Sequence, residues 1–211
     1  MEKSFKTIEK NIETEITEKK SKFIANLFYV ENIEKVEKYL NEVYKKYYDA
    51  KHHCFAYRII KNGTVLEKSS DDGEPSGTAG SPILQLLTNK ELMNVLVIVT
   101  RYFGGTLLGT GGLVRAYSGV TSNAIEQTKI ISKIEGEVLK ISMPYQNLEY
   151  FKYYCHKNNI KIIKIEYEEL PICIIETTLD EKDKILYEMK EKQFNIRKVE
   201  VLKKQYISKN I

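Results

Sequence analysis

Apolar residues recur along this chain with two different periods, and the switches between the periods mark its elements. From Asn11 to Thr17 the alternation of Ile12, Thr14 and Ile16 predicts a strand, and the apolar, aromatic run Lys22 to Val30 predicts its neighbour. From Asn32 to Tyr47 the period lengthens: Ile33, Val36, Leu40, Val43 and Tyr47 step by three and four. That is an amphipathic helix, with Asn32 as its N-cap. His53 to Ile60 and Thr64 to Lys68 read as paired strands around the hairpin dipeptide Asn62-Gly63. Ser69 to Thr78 is a polar loop. Pro82 to Leu87 opens a short helix with Ser81 as N-cap. Asn94 to Arg101 reads as a buried strand by its continuous aliphatic run, as in a strand covered on both faces. A glycine loop from Tyr102 to Gly111 leads to a helix from Gly112 to Lys129, with Leu113, Ala116, Val120, Ala124 and Ile125 on one side.

The remaining chain follows a simpler order. Strand Val138–Met143, helix Asn147–Asn158, strands Ile160–Tyr167 and Ile172–Leu179, helix Glu181–Lys192 and strand Ile196–Leu202 make βαββαβ. That is the plan of a ferredoxin-like plait, a fold that assigns no function by itself. The fold class is therefore α+β.

Composition sharpens the division. Nine of the 11 glycines lie between Gly73 and Gly119, and the Lys-, Glu-, Ile- and Tyr-rich tail after residue 131 holds one. The natural cut falls near Ile131 to Glu135, giving domains 1–131 and 135–205. Charge does not separate them. Residues 1–131 carry 18 basic and 16 acidic side chains, residues 132–211 carry 15 and 13, and the whole chain stands at +4. This balance excludes an acidic tail or a dedicated cationic module. Three widely spaced cysteines, Cys54, Cys155 and Cys173, with no CxxC pair, exclude a disulfide framework and point to no structural zinc. The start lacks the apolar core of a signal peptide, and the longest aliphatic run, Val95–Val99, is too short for a bilayer. A cytoplasmic protein without membrane, metal or cofactor is expected.

Two stretches carry candidate chemistry. In Arg101–Tyr117, the glycines Gly104, Gly105, Gly109, Gly111 and Gly112 separate a buried strand from a helix start. Exposed backbone N–H groups and the helix dipole there favour an anion, and Arg101 and Arg115 flank it with donors suited to phosphate. His52 and Arg58, on one face of their strand with Cys54 and Ala56, join them as candidate anion or nucleic-acid contacts. The stretch is not a P-loop, because Thr110-Gly111 follows Gly104-x4-Gly109 where Lys-Ser/Thr is required. It is not a dinucleotide fingerprint, because Val114 stands where the third glycine belongs. The bland alternative is that the glycines solve a packing problem. The second stretch is the acidic loop Asp71, Asp72 and Glu74. It is read as a capped turn whose carboxylates pair with Arg101 or Arg115, or else as a magnesium site. Tyr150, Tyr153 and Tyr154, beside Lys152 and Lys157, read as amphipathic core rather than as base-stacking groups.

With those residues in view, the chain resembles the YigZ/IMPACT family. The resemblance rests on Ser21-Lys22-Phe23, His52-x-Cys54-x-Ala56-Tyr57-Arg58, Asp71-Asp72-Gly73-Glu74-Pro75-x-Gly77-Thr78-Ala79-Gly80-x-Pro82 and the Arg101–Tyr117 motif. It implies an N-terminal domain similar to domain four of elongation factor G and a C-terminal domain similar to its domain five. It also implies a non-enzymatic role around translation, with RNA or the ribosome as partner, and it assigns no catalytic residue. The alternative is an enzyme that holds a phosphorylated ligand on the glycine loop and magnesium on the acidic loop.

Overall fold

The structure, a computed structural model, describes residues 4–61, 63–191 and 194–210. It is α+β, with five helices and antiparallel sheets among the described residues. In chain order the elements are β1 (Ser4–Ile8), β2 (Ile12–Glu18), β3 (Ser21–Tyr29), α1 (Ile33–Lys46), β4 (His52–Lys61), β5 (Thr64–Ser70), α2 (Gly80–Asn89), β6 (Val95–Tyr102) and α3 (Gly109–Glu126). They continue as β7 (Ile130–Ser142), α4 (Tyr145–Lys157), β8 (Lys161–Tyr167), β9 (Pro171–Thr178), α5 (Leu179–Lys190) and β10 (Lys198–Asn210). Two compact units form, one over Phe5–Ile131 and one over Ser132–Lys209.

In the first unit, five strands run in the order β2–β3–β6–β4–β5, each antiparallel to its neighbours. The central strand explains its own sequence. Val95, Val97 and Val99 of β6 pack with α2 and α3, through Ile83, Leu87, Leu113, Tyr117 and Val120. Leu96 and Ile98 point to the opposite face and meet Val36 and Val43 of α1. With helices on both faces, the stretch Val95–Val99 of β6 leaves no position for a polar alternate, so it is continuously aliphatic, and Thr100 and Arg101 follow it at the strand's end. Each such buried side chain contributes about 1.5–3 kcal/mol. α1 starts where its cap requires: the Asn32 side chain accepts the Lys35 backbone N–H at 2.9 Å.

Several boundaries differ from expectation. α2 is capped by Ala79 with no side-chain bond, so Ser81 sits inside the helix. α3 begins at Gly109 instead of Gly112, which places Gly109, Gly111 and Gly112 in its first turn. β7 begins at Ile130, so the segment expected as a joint is strand. β10 runs on to Asn210, and β1 was not anticipated. Asn62 of the hairpin dipeptide and Lys192 at the expected end of the last helix lie outside the described residues.

In the second unit the βαββαβ order holds. β10 pairs with β7, β7 with β9 and β9 with β8, which is the strand order of the plait. Its core joins Leu139, Ile141, Cys173 and Ile175 of the sheet to Leu148, Phe151, Cys155 and Ile185 of the helices. Gly136 is required by close approach: a Cβ there would run into Ile207 and the Thr177 carbonyl.

Candidate functional site

The acidic loop is held from within. One Asp71 oxygen accepts the N–H groups of Ala79 and Gly80 at 3.0 and 2.8 Å, and the other accepts that of Gly77 at 2.8 Å. Burial pushes the Asp71 carboxyl up, but these three backbone donors outweigh it and hold the group below its ordinary value. Asp72 adopts a left-handed backbone (φ +40°), and its Oδ2 accepts the His53 N–H at 2.7 Å, which offsets that strain. Glu74 is buried. Its carboxylate receives Nη1 of Arg101 at 2.7 and 3.0 Å and the hydroxyl of Tyr117 at 2.8 Å. Cys54 completes the cluster, with Sγ 2.9 Å from the Asp71 carbonyl and 3.3 Å from the Tyr117 hydroxyl. Burial pushes the Cys54 thiol up to about 12 and raises the Tyr117 phenol as well, so neither ionises at neutral pH.

All three carboxylates are therefore engaged by the protein itself. No group of three His, Cys, Asp or Glu side chains is placed to hold a metal ion among the described residues. The magnesium-dependent alternative would need carboxylates that these bonds already occupy.

The expected anion contacts divide into two sets. Arg58 is buried: its Nε meets Glu67 at 2.9 Å and its Nη1 the carbonyls of Leu87 and Leu92 at 3.4 and 3.3 Å. It straps β4 to β5 and to the end of α2. Arg101 is 6% exposed and faces Glu74, the pairing weighed above as the structural alternative. Its Nε has no hydrogen-bond partner among the described residues. His52 is half-buried, and its Nδ1 donates to the Asp72 carbonyl at 2.8 Å, which leaves Nε2 without the proton in the neutral ring.

Arg115 and the glycine loop form the other set. Arg115 is exposed and has no ion-pair partner among the described residues. Its guanidinium lies back over the first turn of α3, with Nη1 3.5 Å from where a Cβ on Gly111 would stand. That turn has no side-chain cap and no acidic residue. A cation thus lies against the positive end of a helix whose first N–H groups are open. Gly105 and Gly109 have φ of +83° and +70° in open space. Gly104 differs: a Cβ there would strike the backbone of Lys20 and Ser21, and its N–H donates to Ser21 Oγ at 3.1 Å.

Beside this loop, a cleft of about 510 Å³ opens between the start of β4 and the end of β6, lined by Lys51, His52, Arg101, Tyr102, Phe103 and Leu107 among others. Sequence reasoning overlooked Tyr117, Lys51 and Phe103. Tyr117 was legible in principle, because a phenol on the apolar face of α3 needs a buried acceptor. Phe103 and Lys51 carried no signal, since single exposed residues of either kind are ordinary.

The fold of this chain recurs in other proteins. The family profile described as Impact N-terminal domain matches residues 19–125. The IMPACT family member YvyE of Bacillus subtilis is 33% identical over 180 residues, covering 85% of this chain and 82% of that protein. The IMPACT family member YigZ of Escherichia coli is 34% identical over 151 residues, covering 71% and 74%. A crystal structure of a hypothetical protein superposes with a TM-score of 0.62 at 27% identity, covering 96% of this chain and 97% of the other. The chain belongs to the IMPACT family. No helix among the described residues is long and apolar enough to cross a membrane.

Proposed function

We propose that the protein is a non-enzymatic, translation-associated RNA-binding protein of the cytoplasm, with domains 1–131 and 135–205, that contacts RNA free or in the ribosome. The observation that carries this reading is Arg115 folded over the uncapped, acid-free start of α3. Two positive features reinforce each other there, and nothing among the described residues neutralises them. A phosphate oxygen is the natural acceptor for such a turn. Membership in the IMPACT family supports the role around translation that the motifs imply. Arg101 backs the site instead of touching RNA: its Nη1 is taken by Glu74, and it holds the end of β6 in place.

The test is sedimentation with ribosomes and with total RNA across a salt series, comparing the wild type with Arg115→Ala. Because Arg115 is exposed, the variant should melt at the wild-type temperature. It should bind more weakly to every RNA, and the slope of log affinity against log salt should shrink by about 0.7 on single strands. Absence of RNA and ribosome binding at low salt, or an unchanged slope, overturns the reading.

A further inference from the structure

We infer that Phe103 is a stacking platform for an unpaired RNA base, seated in the cleft beside the glycine loop; this rests on the RNA reading above. Phe103 is 55% exposed and Leu107, four residues on, is 84% exposed. Both side chains line the cleft. The backbone around Phe103 is fixed on both sides. β6 ends at Tyr102, whose hydroxyl donates to Asp49 at 2.6 Å, and Gly104 is pinned against Lys20 and Ser21. The ring itself is backed by a charge, for the Arg101 guanidinium carbon lies 5.6 Å from its centroid and 5.4 Å from that of Phe23. Arg101 is in turn locked by Glu74. A buried ion pair thus holds an exposed aromatic ring in one place, and such a ring loses little freedom when a flat ligand lies on it.

The rest of the cleft selects the occupant. Lys51 is exposed and has no ion-pair partner among the described residues, so a phosphate next to the stacked base finds a cation. His52 also lines the cleft, and with Nδ1 committed to the Asp72 carbonyl its Nε2 is left to accept from an exocyclic amino group. The Asp49 carboxylate already accepts the Tyr102 hydroxyl. An aromatic plane with a neighbouring cation is the arrangement by which proteins hold single strands with little regard to sequence. A base inside a duplex offers no free face, so the platform discriminates single strands from double.

The chain contains no tryptophan, so Phe103→Trp introduces a single reporter at the ring. The probes are a labelled 12-nucleotide oligoadenylate and the duplex it forms with oligouridylate. Phe103→Ala should keep the wild-type melting point, lose about 5- to 150-fold in affinity for the single strand and bind the duplex unchanged. Phe103→Trp should keep single-strand affinity, and its emission should be quenched at saturation. Wild-type affinity in Phe103→Ala, or unquenched tryptophan at saturation, overturns the platform and leaves RNA binding through Arg115 standing. Equal losses for single strand and duplex overturn it too, since they show that the ring only shapes the loop. Tryptophan that responds to ribosomal proteins freed of RNA and not to the oligonucleotide makes the occupant a protein and overturns it. A wild type that binds neither nucleic acid overturns the platform and the RNA reading together.

Discussion

The acidic loop at 71–80 and the glycine loop at 103–112 look alike as sequence: both are dense in glycine and polar residues, and both adjoin a helix start. In the structure they part company. Asp71, Asp72 and Glu74 are each bound to backbone N–H groups or to buried side chains of the same unit. Phe103, Leu107 and Arg115 face solvent, and α3 begins without a capping side chain. The difference follows from where charge sits relative to the core. A carboxylate that enters the interior must bring its partners with it, and here that requirement organises a whole loop. The glycine loop carries no side chain that demands internal partners, so, apart from the Gly104 N–H that donates to Ser21, its backbone donors and apolar groups remain on offer. The first loop is scaffold, and the second is the surface the scaffold presents.

The sharpest way to break this contrast is at Glu74. Removing its carboxylate leaves Arg101 buried without a counter-charge, and the cost should be about 3–5 kcal/mol. Glu74→Ala is expected to show it as a large fall in the denaturant midpoint at unchanged slope. Pairing Glu74→Leu with Arg101→Met should restore much of the loss, because a well-packed apolar pair replaces the ion pair. If Glu74→Ala unfolds at the wild-type midpoint, the acidic loop is not scaffold.

Asp71 should follow, at about 2–4 kcal/mol, since three backbone donors lose a charged acceptor. Its contribution depends on pH in a defined sense. The folded group titrates below its ordinary value of 3.8, so its stabilisation is complete above that pH and disappears as pH falls through the folded value. The melting gap between the wild type and Asp71→Asn should be widest near neutrality and should close below about pH 4. A gap of constant size across that range would show that the loss comes from steric misfit and not from the carboxylate charge.

How much of the contrast was legible beforehand depended on how local its causes are. The β4 alternation placed His52, Cys54, Ala56 and Arg58 on one face correctly, because a period of two needs only neighbouring residues. Asn32 was recognisable as a cap for the same reason. The Glu74–Arg101 pair joins residues 27 positions apart. It could be named as one option, but only the antiparallel pairing of β4 with β6 beside the loop decides it. The start of α3 was misplaced by three residues, since Gly109, Gly111 and Gly112 disfavour helix by propensity and are carried there by the packing of Leu113, Ala116 and Tyr117. Phe103 carries no mark of its own: Arg101 stands two positions before it, but only the long-range Glu74–Arg101 pair keeps that guanidinium behind the ring.

The finest test lies inside the glycine loop, where two adjacent glycines serve different ends. At Gly104 an added methyl meets the backbone of Lys20 and Ser21, which cannot move as a side-chain tip can, so Gly104→Ala should cost about 1–3 kcal/mol. At Gly105 nothing stands in the way, and the penalty is only that of placing an L-residue at φ +83°, about 1 kcal/mol. The two also differ in their effect on binding. Displacing Gly104 shifts the neighbouring Phe103 ring off Arg101, so Gly104→Ala should lose single-strand affinity as well as stability. Gly105→Ala should melt slightly lower and bind as the wild type does. Thermal melts and oligoadenylate titrations on the same two proteins decide the matter. Equal losses of affinity would mean that the loop acts through its overall flexibility, and the division between a pinned ring and an open turn would fall.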